Sequence, residues 1–82
     1  MALESLRTAR QKTIGTKQTL KAVEKGLARK VYVASDADAH IVAPLLELCA
    51  SQGIQYEYVE SMRELGRACG IQVGAAAAAI TD

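Results

Sequence analysis

Val73-Gly74-Ala75-Ala76-Ala77-Ala78-Ala79-Ile80 decides the fold of this chain, because its composition and its surroundings point in opposite directions. Alanine is the best helix former and a poor strand former, so propensity alone assigns a helix. The chain before it alternates helical and extended stretches, and such an alternation needs a central strand covered on both faces. Small side chains suit that strand, since they let helices approach it closely. We read the segment as a strand, and the fold as α/β: a three-layer α/β/α sandwich around a mixed sheet of about four short strands.

Working back from that strand, Ser61-Met62-Arg63-Glu64 is a capping box. Ser61 accepts from the Glu64 amide and Glu64 reaches back, opening a helix that Gly70 closes. Ile54 to Val59 alternates enough to be a strand. Before it, Pro44 lacks an amide donor and belongs in a first turn, which places a helix from about Val42 to Gln52, stopped at Gly53. Val31-Tyr32-Val33-Ala34 is β-branched and aromatic, a buried strand running into the turn Ser35-Asp36-Ala37-Asp38. Gly15 and Thr16 suit a helix start, and Leu20, Val23 and Leu27 recur at helical spacing until Gly26 offers a left-handed stop. Leu3 to about Thr13 is helix-compatible. No internal repeat or linker appears.

The 82 residues are enough for one domain, residues 1–82, and too few for two cores. Half are hydrophobic, yet there is no Trp or Phe and three Tyr, so the interior must be aliphatic. Cys49 and Cys69 stand without a second CxxC pair or a histidine cluster, and no secretory signal precedes them. They read as small apolar fillers in a reducing compartment; a redox pair would require the two to meet in space. No apolar run approaches the ~18 residues that span a bilayer. We therefore expect a soluble, cytoplasmic protein.

The net charge of +1 conceals a polarity. Residues 1 to 30 hold eight bases (Arg7, Arg10, Lys12, Lys17, Lys21, Lys25, Arg29, Lys30) and two acids (Glu4, Glu24), a balance of +6, and the remainder carries −5. Lys17, Lys21 and Lys25 fall four apart, forming a row turned away from the apolar stripe of their helix. One basic face suits an extended polyanion, although a solvated helix surface has the same charge pattern.

The inventory for catalysis is poor. His40 is the sole histidine and reads as a surface residue near a turn. Asp36 and Asp38 lack the further oxygen ligands a cation needs, and helix capping is the simpler role. Gly15-Thr16-Lys17 ends like a phosphate loop, but the upstream glycine and preceding strand are missing. What remains is a helix N-terminus opened by Gly15, where exposed amides, the Thr16 hydroxyl and the lysine row all donate hydrogen bonds, as anions and guanine edges require. Glycine at the entry lets another backbone come close. An ordinary capped surface helix is the alternative.

Several segments, taken in order, resemble the L-seven-Ae group of ribosomal and kink-turn RNA-binding proteins over almost the whole chain. Gly15-Thr16-Lys17-Gln18-Thr19-Leu20-Lys21 sits where that family has Gly-x-Asn-Glu-x-x-Lys, with Lys25-Gly26 following. Val31 to Asp38 is similar to the family's strand and acidic turn, and Ser61-Met62-Arg63-Glu64-Leu65-Gly66-Arg67-Ala68-Cys69-Gly70-Ile71 to its Ser-x-x-Glu-Leu-Gly-x-Ala-x-Gly-Ile segment. The resemblance implies the sandwich fold and, as target, RNA bent sharply at a bulge beside tandem sheared G·A pairs. Such a kink opens a groove that ordinary A-form RNA closes to side chains.

Carried over by position, the resemblance implies that Lys21 donates to a guanine of the G·A pairs while Gly15 and Thr16 approach the backbone. Ile71, Gln72, Val73 and Gly74 then form the loop against which an extruded base packs; Ile71 and Val73 suit a core equally well. Two positions depart from the pattern. Lys17 replaces Asn, and Gln18 replaces Glu, so a carboxylate acceptor becomes an amide while a cation is added. The expectation is a non-enzymatic monomer with structured RNA as partner and no DNA, membrane, metal or cofactor. The alternatives are a protein-interaction module with a basic docking face, and a small hydrolase.

Overall fold

The computed structural model describes residues 2–82. Its elements run α1 (Ala2–Thr8), β1 (Lys12–Ile14), α2 (Thr16–Glu24), β2 (Lys30–Ala34), α3 (Ala39–Gln52), β3 (Tyr56–Val59), α4 (Met62–Ala68) and β4 (Ala77–Ile80). The sheet order is β1-β4-β2-β3. β4 pairs antiparallel with β1 and with β2, and β2 pairs parallel with β3, so the sheet is mixed. The alanine-rich segment is thus an interior strand, in register with β2 through Val31↔Ala79, Tyr32↔Ala78 and Val33↔Ala77.

Strand alternation sorts the core into two layers. Val31, Val33, Ala77 and Ala79 face one way and pack with Val23 of α2 and Val42, Leu45 and Cys49 of α3. Tyr32, Ala34, Ala78 and Val59 face the other way, against Leu6 of α1, Leu65 and Ala68 of α4 and its C-cap Cys69. Propensity for helix is overruled here because Ala77, Ala78 and Ala79 are all fully buried between these layers. Enlarging one of them should be felt at once. Ala78→Leu is expected to lower stability by about 1–3 kcal/mol through overpacking, read as a lower urea midpoint; an unmoved midpoint would mean spare room beside β4.

Cys49 and Cys69 lie on opposite sides of the sheet, so the redox pair has no geometry. Burial pushes both thiols above their ordinary pKa, which keeps them protonated fillers.

Several boundaries differ from the sequence reading. The first helix ends at Thr8, and Lys12–Ile14 is a strand, paired through Thr13↔Ala79 and Ile14↔Ala78. Leu27 lies beyond α2 and is 56% exposed; the buried residues of that helix are Thr19, Ala22 and Val23. α3 begins at Ala39, with Asp38 as its N-cap accepting from the His40 amide at 2.8 Å, which leaves Pro44 inside the helix rather than in its first turn. The bond Pro44 omits would go to the carbonyl of His40, an exposed residue that water can reach. β3 and β4 are shorter than read, Tyr56–Val59 and Ala77–Ile80.

One consequence of topology sets up the site. β1 and β2 both oppose β4, and β3 follows β2, so β1, β2 and β3 run in the same direction. Each is followed by a helix, and α2, α3 and α4 therefore start at one end of the sheet.

Candidate nucleic-acid interface

The helix starts gathered at that end are finished differently. Asp38 caps α3, and Ser61 caps α4 by accepting from the Glu64 amide at 3.1 Å. Asp36 reaches across to accept from the Met62 amide at 2.8 Å, so both carboxylates of the acidic turn serve helix N-termini. Among the described residues no group of three or more metal-ligating side chains forms. α2 is the exception, because its N-cap is Gly15, which supplies no side-chain cap; its first turn, like that of α3, contains no acid.

Gly15 has φ 98° and ψ 150°, a conformation essentially confined to glycine, although a Cβ there would touch nothing within 4 Å. Its backbone therefore demands glycine while the space above it stays open. The residue is anchored on both sides. Its amide donates to the Ala77 carbonyl at 2.8 Å and its carbonyl accepts from the Thr19 amide at 3.0 Å. One turn into α2, the fully buried Thr19 hydroxyl lies 2.9 Å from that of Thr13, tying the helix to β1.

From this anchored start, Lys17, Gln18, Lys21 and Lys25 are all exposed, with Thr16 half-buried. Lys25 is the helix's C-cap residue. Among the described residues the ion pairs are Lys30–Glu57 and His40–Asp38, and neither engages this row. Lys17 in the first turn adds positive charge to the positive end of the helix dipole. That placement opposes helix stability by about 0.3–1 kcal/mol and favours an anion from outside.

The second predicted segment arrives at the same end. Ala77, which holds Gly15, is the first residue of β4, and Gly74 precedes it by three residues, a span of at most about 11 Å. The loop to it runs back along α4: the Ile71 amide donates to the Gly66 carbonyl at 3.0 Å and the Ala75 amide to the Met62 carbonyl at 3.0 Å. Ile71 is half-buried and packs against the core layer of α1 and α4, so it is a support rather than a free contact. Gln72 and Gly74 are exposed, and Val73 is 70% exposed, the most open of the large hydrophobic residues among those described. Together the ensemble offers amide and ammonium donors on one side and an apolar ledge on the other. Asp36, Thr13, Thr19 and Gly66, absent from the sequence-based set, hold it in place.

No helix among the described residues is long and apolar enough to cross a membrane. A family model for the ribosomal protein L7Ae/L30e/S12e/Gadd45 family matches residues 1–82. The chain is 49% identical over 69 residues to an RNA-binding protein of Caldanaerobacter subterraneus subsp. tengcongensis, covering 84% of each. It is 44% identical over 80 residues to the RNA-binding protein YbxF of Geobacillus stearothermophilus, covering 98% of each. Among solved structures it is similar to the Giardia lamblia 15.5kD RNA binding protein, at 32% identity and a TM-score of 0.87, over 98% of this chain and 68% of that one. A Bacillus halodurans protein of unknown function superimposes with a TM-score of 0.84 at 34% identity, over 98% and 80% of the two chains. With that match along its whole length, the chain belongs to the ribosomal protein L7Ae/L30e/S12e/Gadd45 family.

Proposed function

We propose that this protein binds kink-turn RNA, without catalysis, and holds the bend in place. The relatives named as RNA-binding proteins support an RNA partner, and the arrangement at the end of the sheet supports a bent one. The observation that carries the reading is the start of α2: a helix N-terminus without a side-chain cap, bearing exposed Lys17 and Lys21, next to a loop that exposes Val73.

Each part has a counterpart in a kinked duplex. Lys21 donates to O6 or N7 of a guanine in the sheared G·A pairs, which the kink presents in a widened groove. Gly15 lets the phosphate backbone approach, and the amides at the start of α2, the Thr16 hydroxyl and Lys17 hold phosphates. Gln18 accepts from a guanine edge through one amide oxygen. Val73, flanked by Ile71, Gln72 and Gly74, carries the extruded nucleotide. In this reading the protein acts as a monomer in the cytoplasm, on ribosomal RNA or a structured messenger leader.

The test is a gel shift with a kink-turn oligonucleotide beside one whose G·A pairs are replaced by Watson–Crick pairs. Losing two specific pairs should weaken binding by about 2–6 kcal/mol, roughly 30-fold or more. Equal binding to both would reduce the activity to general RNA affinity. Binding to neither would turn the basic face towards an acidic protein partner.

A further inference from the structure

Gly66 sits in the middle of α4, where alanine is the best residue and glycine the poorest apart from proline. Its φ is not positive, so the backbone conformation does not call for glycine. Proximity does. A Cβ on Gly66 would collide with the Val73 carbonyl oxygen and stand 3.1 Å from the Val73 carbonyl carbon and 3.2 Å from the Gly74 Cα. Gly74, also without positive φ, makes the reciprocal approach: its Cβ would lie 3.1 Å from Met62 Cβ and 3.3 Å from the Met62 carbonyl carbon. Two glycines thus press the loop against α4, and the Ile71–Gly66 and Ala75–Met62 hydrogen bonds pin its ends.

We propose that Gly66 is a positioning residue for RNA recognition: it seats the loop so that Val73 stands at the height where the extruded nucleotide packs. The inference rests on the kink-turn reading. Gly66 is itself buried and makes no contact with RNA in this arrangement. The atoms a methyl group would strike belong to the backbone of the loop, which cannot rotate aside as a side chain could. The loop must lift, carrying Val73 with it, or α4 must shift and with it the core residues Leu65 and Ala68.

A two-by-two binding experiment separates positioning from mere folding. Wild type and Gly66→Ala are titrated with the kink-turn oligonucleotide and with the same RNA made abasic at the extruded nucleotide. Wild type should lose about tenfold on the abasic RNA, the worth of one apolar contact. Gly66→Ala should lose about tenfold on intact RNA and almost nothing further when the base is removed, because the two changes delete one interaction. A variant weakened equally on both RNAs, still sensitive to the missing base, overturns the proposal, as does a wild type indifferent to that base. Should Gly66→Ala fail to fold, Gly74→Ala, whose Cβ makes only close approaches of 3.1–3.4 Å to Met62 Cβ and its carbonyl, should show the same coupling at reduced size. Failure of wild type to prefer the kink-turn over the Watson–Crick control would sink the functional reading instead.

Discussion

Lys21→Ala is expected to weaken kink-turn binding by about 1–3 kcal/mol, roughly 5- to 150-fold, while the folded state loses little. Lys21 is exposed on α2, and the ion pairs among the described residues, Lys30–Glu57 and His40–Asp38, leave it out, so its removal breaks neither of them. Alanine is also the better helix former, and exposed substitutions of this kind usually stay within about 0.5 kcal/mol. The size of the loss distinguishes two roles. A lysine that reads a guanine edge should lose its effect on RNA whose G·A pairs have become Watson–Crick pairs, whereas one that meets a phosphate should weaken all RNAs alike. Arg7→Ala is the matched control. Arg7 lies on α1, on the sheet face opposite α2, and its removal should change affinity by less than about twofold. Isothermal titration with both RNAs checks the pair; an equal loss from Lys21→Ala and Arg7→Ala would leave only diffuse electrostatics.

The contrast between those two residues was legible in the chain before any fold, because lysines four apart declare a helix face and Gly15-Thr16 declares its start. The interior placement of the alanine strand was legible too, though from topology against propensity. β1 was not. Lys12-Thr13-Ile14 is too short to alternate, and all three residues are half-buried, so nothing in their order competes with the helical pattern before them. The early start of α3 was hidden for another reason: Pro44 suits a first turn, where its missing donor is harmless, while the cap, Asp38, lies six residues before it. Within the site, Ile71 and Val73 could not be told apart by sequence. Only the return path of the loop along α4 buries half of the first and exposes the second. Gly66 was least visible of all. A glycine inside a helix reads as a flaw until the partner it admits, seven residues further on, is known to be Val73.

Lys17, which stands where the resemblance places an Asn, leads to the second large effect. Affinity for the kink-turn should fall about 20- to 150-fold between 50 and 200 mM salt, since three or four phosphate contacts each add about 0.7–0.9 to the slope of log K against log salt. Lys17→Asn should lower that slope by about 1. The same substitution should stabilise the free protein. Lys17 stands in the first turn of α2, whose N-cap Gly15 offers no side-chain acceptor and whose opening turn has no acid to offset the helix dipole. Removing the cation there recovers about 0.3–1 kcal/mol at low salt. Binding and stability therefore move in opposite directions, which is the behaviour of a charge held in place for an external anion rather than for the fold. Denaturation midpoints and salt titrations on the two proteins check both signs. A Lys17→Asn variant that was less stable, or whose salt slope matched wild type, would remove Lys17 from the phosphate contacts and leave the exposed helix start without its second cation.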